Sequence, residues 1–108
     1  MRQTTITINV ELDDNHIPEK LTWNAEDSGV KNEETKSAMI SVWDDKTMEA
    51  LRIDLWTKDM PLDQMKMFIH QSIVSLGQTY QRASGEEDVA LWLEEMANEF
   101  AIKSAIRI

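Results

Sequence analysis

The sequence contains no cysteine, and this absence excludes several kinds of site at once. Without cysteine in its 108 residues, the chain has no disulfide, thiolate zinc site, iron–sulfur cluster or cysteine nucleophile. A reducing compartment is therefore compatible with the sequence. Three glycines and two histidines are also poor material for a glycine-rich phosphate loop or a histidine-based metal site.

Long apolar runs and clustered positive charges are also missing. No run is long enough to span a bilayer, and strand-like alternation begins near residue 4 without an apolar signal core before it. We therefore expect a cytoplasmic protein without direct membrane insertion. The formal net charge of −9 repels nucleic-acid phosphates, so nucleic acid is not an expected partner.

The first feature that is present is alternation of apolar and polar residues, which predicts a strand over 4–12. A two-residue turn at Asp14 and Asn15 predicts a second strand over 17–25, with Ile8 opposite Leu21. The polar segment "EDSGVKNEE", residues 26–34, predicts an irregular connection.

A second hairpin is predicted from strands over 37–44 and 48–57. One face is aliphatic and is expected to lie in the core. The other face is less polar than a solvated face should be, and it predicts a protein-contact surface of Met39, Trp43, Met48, Arg52, Asp54 and Trp56, with Trp43 across from Met48. Two alternatives stay open: another segment of the chain covers this face, or the tryptophans are exposed singly and have no role.

Two amphipathic helices are predicted to follow, over 61–83 and 86–105. The buried stripe of the second helix is expected to consist of Val89, Trp92, Leu93, Met96 and Phe100. In the first helix Met67, His70 and Val74 lie away from the main apolar stripe, and they form either a weaker second contact surface or scattered exposed positions.

These elements predict a single α+β domain over 1–108. Its architecture is two-layer, with a mainly antiparallel four-stranded sheet followed by two C-terminal helices packed on one face.

The sequence offers little support for catalysis. It contains no nucleophile elbow, phosphate loop or paired zinc histidines, and Asp63 is explained by its place at a helix start. We therefore expect no enzyme, catalytic residue, cofactor or metal site.

Several separated stretches resemble one protein family. The segments "ELDDNHIPEKLTW", "SVWDDKTMEALRIDLWTKDMPLDQMK" and "FIHQS" are similar to the small gliding motility-associated protein GldC of gliding Bacteroidetes, and the resemblance covers most of 10–84. It implies a role supporting gliding motility, with no assigned catalytic residues and no cofactor.

Two functional hypotheses follow. The first is a non-enzymatic accessory protein that forms a homodimer and contacts a component of the gliding or linked secretion machinery. The second is a chaperone-like binder of unfolded or exported polypeptides, because four strands followed by two helices is similar to the order in the export chaperone SecB, an analogy of topology alone.

Overall fold

The computed structural model describes residues 1–106. The chain forms two compact units, one over residues 1–60 and the other beginning at Pro61. That the whole chain is one domain with helices packed on a sheet stays a prediction.

The first unit contains five strands in two small antiparallel sheets. Sheet one has the order β1 (Ile6–Leu12), β2 (Pro18–Ala25) and β3 (Val30–Thr35), and sheet two pairs β4 (Ser37–Asp44) with β5 (Glu49–Trp56). The α+β class is confirmed. The single four-stranded sheet is wrong, because the chain has a fifth strand and divides its strands between two sheets.

The missed strand is β3, in the segment predicted to be irregular. A short 3-10 helix at Glu26–Ser28 ends at Gly29, whose φ of 70° is the left-handed conformation that glycine adopts easily. The chain then pairs with β2 although Lys, Asn and Glu are poor strand formers. Backbone pairing at an edge, supported by the Asn32 N–H donating to Asn24 Oδ1 at 2.9 Å, outweighs that low propensity.

The first hairpin has the predicted faces but a different register. Ile8 lies opposite Trp23, and Leu21 lies opposite Val10. Asp13 Oδ1 accepts hydrogen bonds from the N–H groups of Asn15 at 2.8 Å and Ile17 at 3.0 Å. These bonds favour a loop longer than the predicted two-residue turn, and a bulge beside Leu12 completes a shift of two residues. From Ile6 to Glu11 the shift is even, so these side chains and their partners stay on their predicted faces.

β2 is the central strand of sheet one and carries its buried core. Leu21 is fully buried between its neighbours Val10 of β1 and Thr35 of β3, and Ala25 is also buried. Several apolar side chains of β1 are exposed, including Ile6 and Leu12. The alternation therefore predicted which residues share a face, but not how much of that face is covered.

The second unit is a pair of helices, α1 (Leu62–Ser84) and α2 (Glu87–Lys103). Pro61 is the N-cap of α1 rather than its first helical residue. Gly85 ends α1 with a φ of 74° and donates its N–H to the Gln81 carbonyl at 2.8 Å. α2 ends two residues before the predicted position, and Ala105 has a φ of 58°.

Small residues bring the two helices close together. A Cβ atom at Gly77 of α1 would lie 3.3 Å from Leu93 Cβ and 3.6 Å from the Ala90 carbonyl oxygen of α2. Ala90 and Ala97 are buried and share this face of α2. The predicted buried stripe is wrong at three positions, because Val89, Trp92 and Met96 are exposed.

A larger side chain at Ala97 should push the helices apart. We expect Ala97→Leu to lower the free energy of unfolding by about 1–3 kcal/mol, because extra methylene groups in a packed interface force shifts of backbone and rotamers. Denaturant unfolding measures this cost. The matched control is Ala83→Leu at an exposed position of α1, expected to change stability by less than about 0.5 kcal/mol. Equal effects of the two substitutions would contradict the tight burial of Ala97.

Candidate protein-contact surface

Polar contacts fix the end of β5 to the first hairpin. The Lys58 N–H donates to the Pro18 carbonyl at 3.0 Å, and Lys58 Nζ lies 3.1 Å from Asp13 Oδ2 and 3.3 Å from Glu19 Oε1. Just before β4, the Lys36 carbonyl accepts a hydrogen bond from the Thr57 N–H at 2.8 Å, and Lys36 Nζ lies 3.0 Å from Asp59 Oδ2. Hydrogen bonds and ion pairs therefore hold the open end of the β4–β5 hairpin, where β4 begins and β5 ends.

The turn at the other end of this hairpin explains its register. Asp44 accepts hydrogen bonds from the Lys46 N–H and the Thr47 hydroxyl, both at 3.0 Å, and its carbonyl accepts the Met48 N–H at 2.8 Å. Met48 has a φ of 59°, so it belongs to the loop. Trp43 consequently lies opposite Ala50, and the predicted pairing of Trp43 with Met48 is wrong.

Five of the six predicted surface residues share one face of the hairpin, which we call the tryptophan face: Met39, Trp43, Arg52, Asp54 and Trp56. Trp43 is 59% exposed and Trp56 is 53% exposed. They stand near opposite ends of the face, about 20 Å apart at the usual rise of a strand. Met48, the sixth residue, is exposed at the adjoining turn.

An ion pair lies between the two tryptophans. Arg52 Nη2 is 2.9 Å from Asp54 Oδ1, and both side chains are exposed. A surface ion pair of this kind adds little stability, so both groups are available to bind a partner. Asp54 and Asp59 each lie beside a cationic side chain, that of Arg52 and that of Lys36 respectively.

The opposite face of the hairpin, which we call the aliphatic face, was predicted to lie in the core. The structure leaves much of it open: Val42 is 57%, Leu51 53% and Ile53 58% exposed. The observed register differs from the predicted one by two residues, and this even shift keeps the predicted residues on this face. Ile40 lies opposite Ile53, and Val42 lies opposite Leu51. The prediction that it is a buried core face is wrong at these three positions.

The weaker second surface on α1 is divided by the neighbouring helix. Val74 lines a groove with Gly77 of α1 and with Ala90 and Leu91 of α2. Met67 borders a different depression, close to Ala105, and His70 is half-buried. Their role as one contact surface stays a prediction.

The sequence predicts the apolar stripe on α2 but not its exposure. Val89, Trp92 and Met96 are exposed there, and their spacing places them on one side of the helix. The spacing predicts them as core residues, because periodicity identifies a stripe without identifying its cover. The small residues Ala90 and Ala97 were the available signal that α2 uses a neighbouring face for its close helix contact.

Within residues 1–106, no three side chains of His, Asp or Glu are grouped so as to hold a metal ion. Over the same residues, no helix is both long and apolar enough to cross a bilayer. The features that remain for interpretation are the tryptophan face, the aliphatic face and the exposed stripe of α2.

The bonds to Asp13 also predict a pH dependence of stability. The Ile17 N–H, followed by Lys58, lowers the pKa of Asp13 below its usual 3.8. A carboxylate whose pKa is lowered by folding stabilises the fold at pH values above its unfolded-state pKa. That stabilisation is lost as the pH falls through its folded-state pKa. We expect Asp13→Asn to unfold more easily than the wild type near neutral pH, with the difference shrinking as the pH falls below about 4.

Denaturant unfolding of both proteins across this pH range measures the effect. Asp14→Asn is the control, because the side chain of Asp14 makes none of these hydrogen bonds. A difference between wild type and Asp13→Asn that stays constant down to the lowest pH would contradict the assignment.

Comparison with known proteins identifies one related group. The family described as "Gliding motility-associated protein GldC-like" matches residues 18–106. No curated protein matches the chain, and no solved structure does. The matched region includes β2 to β5 and both helices, and thus the whole tryptophan face.

Proposed function

The chain belongs to the GldC-like family of gliding motility-associated proteins, and from this premise we propose that it is a non-enzymatic accessory protein of gliding motility. It acts by self-association and by binding another protein through the tryptophan face. The family has no known catalytic role.

The observation that carries the proposal is the exposure of Trp43 and Trp56 on one face of a single hairpin. Tryptophan, methionine and arginine are enriched at the centres of protein interfaces, and all three are present on this face. Tryptophan also supplies many of the side chains whose loss weakens binding most. A face that only met water would carry more polar side chains at these positions.

The ion pair contributes orientation. Arg52 and Asp54 present both signs of charge between the two tryptophans, and charges at an interface select the partner and its register more than they add affinity. With a net charge of −9, the chain attracts basic surfaces over long range. The partner we propose is therefore a gliding or linked secretion component with a neutral or basic contact surface.

A second candidate is chaperone-like binding of unfolded or exported polypeptides. The observation favouring it is the exposure of Met48, Met67 and Met96, because flexible methionine side chains adapt to many partners. The order of strands and helices is less similar to that of SecB than predicted, because β3 lies between the two predicted hairpins. Suppressed aggregation of unrelated unfolded proteins would support this candidate, and no effect at molar excess would exclude it.

Removing both tryptophans tests the first candidate. We expect Trp43→Ser combined with Trp56→Ser to stop or strongly slow gliding and to reduce crosslinked capture of the partner by about 30-fold or more, since loss of an interface tryptophan often costs at least about 2 kcal/mol. Colony spreading and quantitative capture from gliding cells are the measurements.

The control is Trp92→Ser on α2. Trp92 is 56% exposed, close to the exposure of both tryptophans on the face, so the control removes an equivalent side chain from another surface. Circular dichroism checks that all variants are folded. Normal gliding and capture by the double variant would contradict the proposal.

A further inference from the structure

The outer edge of β5 is open for hydrogen bonding over residues 50–56. Beyond them, the Lys58 N–H on the same edge donates to the Pro18 carbonyl of β2. Sheet two contains only β4 and β5, and in the described part of the chain no other strand pairs with β5. The Thr57 N–H donates to the Lys36 carbonyl, and bonded pairs alternate along an antiparallel ladder. The backbone groups of Leu51, Ile53 and Leu55 therefore point toward β4, whereas those of Arg52 and Asp54 point outward.

This edge lacks three common devices against pairing, and its charged side chains are those of Glu49, Arg52 and Asp54. Edge strands are often guarded by proline, lysine or a bulge. In sheet one, β1 has a bulge near Leu12 and β3 carries Lys31 and a register shift. β5 has none of these devices: its pairing with β4 is regular, it contains neither proline nor lysine, and all of its residues except Leu55 are exposed.

The sequence of β5 is self-complementary about Ile53. Reading outward from this residue in an antiparallel pair of identical strands, Arg52 of one strand faces Asp54 of the other, and Asp54 faces Arg52. Leu51 likewise faces Leu55. Opposite charges directly across from each other stabilise neighbouring strands, as do paired apolar side chains.

We propose that β5 pairs antiparallel with β5 of a second copy of this chain, around a two-fold axis at Ile53. The two Ile53 residues at the axis face each other without mutual hydrogen bonds. Arg52 and Asp54 of the other copy form a hydrogen-bonded pair, because their backbone groups point outward from β4. The same patch serves both copies, as a two-fold interface demands. This inference rests on the self-association in the proposed function and specifies its geometry.

Pairing joins the two small hairpins into one sheet of four strands. Side chains opposite each other in a sheet lie on the same side, so the tryptophan faces of both copies become one surface. The two aliphatic faces also join, which places the exposed Val42, Leu51 and Ile53 side chains beside those of the second copy. The dimer thus presents two wide faces instead of four narrow ones.

Charge reversal tests the pairing. Arg52→Asp alone places two aspartates opposite each other at both symmetric positions, and Asp54→Arg alone places two arginines there. We expect each substitution to raise the dimer dissociation constant, measured by analytical ultracentrifugation, about tenfold or more. The two substitutions change the net charge in opposite directions, so a general charge effect would not weaken both proteins.

Mixing the two singly substituted proteins provides the decisive arm. A heterodimer of Arg52→Asp with Asp54→Arg restores an opposite charge at every position across the interface, although each chain keeps like charges within itself. We expect the mixture to associate about as tightly as the wild type. Dimerisation of each variant alone at wild-type strength, or no association of the mixture, would overturn the proposal.

Disulfide crosslinking tests the register independently, since the chain has no native cysteine. Opposed residues without mutual hydrogen bonds have Cα atoms about 4.5 Å apart, which suits a disulfide. Ile53→Cys should therefore form a covalent dimer on mild oxidation. Val42→Cys, on the same face with nearly equal exposure, should not.

The outcomes separate this inference from the proposed function. A monomeric wild type, or a dimer that Ile53→Cys does not crosslink, overturns the β5 pairing even if gliding depends on the two tryptophans. Normal gliding by the double tryptophan variant overturns the role of the tryptophan face even if the β5 dimer forms.

Discussion

A hairpin of two strands cannot bury its own side chains, because it has two faces, two edges and no interior. An isolated hairpin is marginally stable in water for this reason. β4 and β5 are anchored at their base by Lys58, Lys36 and Thr57, while Val42 on one face and Trp43 on the other are exposed. The need to cover these faces links the fold to the proposed binding of other proteins and of a second copy.

Apolar residues on both faces are otherwise typical of strands that are buried on both sides. In β5 the aliphatic face carries Leu51 and Ile53, and the tryptophan face carries Trp56. Joining two hairpins through β5 would give a sheet wide enough to pack on one face and bind on the other. The charged pair between them, Arg52 and Asp54, would then specify the register and disfavour slipped arrangements.

Much of the fold was predictable from local patterns. Alternation located four of the five strands to within two residues, and the predicted end of the first helix at residue 83 is one residue from its observed end at Ser84. The registers could not be predicted, because they depend on the hydrogen bonds of Asp13 and Asp44 within the loops. β3 was missed because its stability comes from the ladder with β2 and not from its own residues.

The tryptophan face was also predictable as a set, because strand periodicity fixes which side chains share a side. The position of Met48 was not predictable, because its φ of 59° belongs to the turn and not to the strand. Exposure of the aliphatic face and of Trp92 was missed for a different reason: a pattern of apolar residues shows that a side is suited to burial, but does not identify its cover. That cover depends on contacts between elements that are distant in sequence, or on a second molecule.

Hydrogen exchange at single amides of β5 reports directly on its pairing with a second copy. At low protein concentration, the amides of Leu51 and Ile53 should be protected by β4, while those of Arg52 and Asp54 should exchange quickly. At concentrations that favour the dimer, we expect the amides of Arg52 and Asp54 to become protected as well, which gives protection at every residue from 51 to 54. Exchange of Arg52 and Asp54 that stays fast and independent of concentration would contradict this pairing.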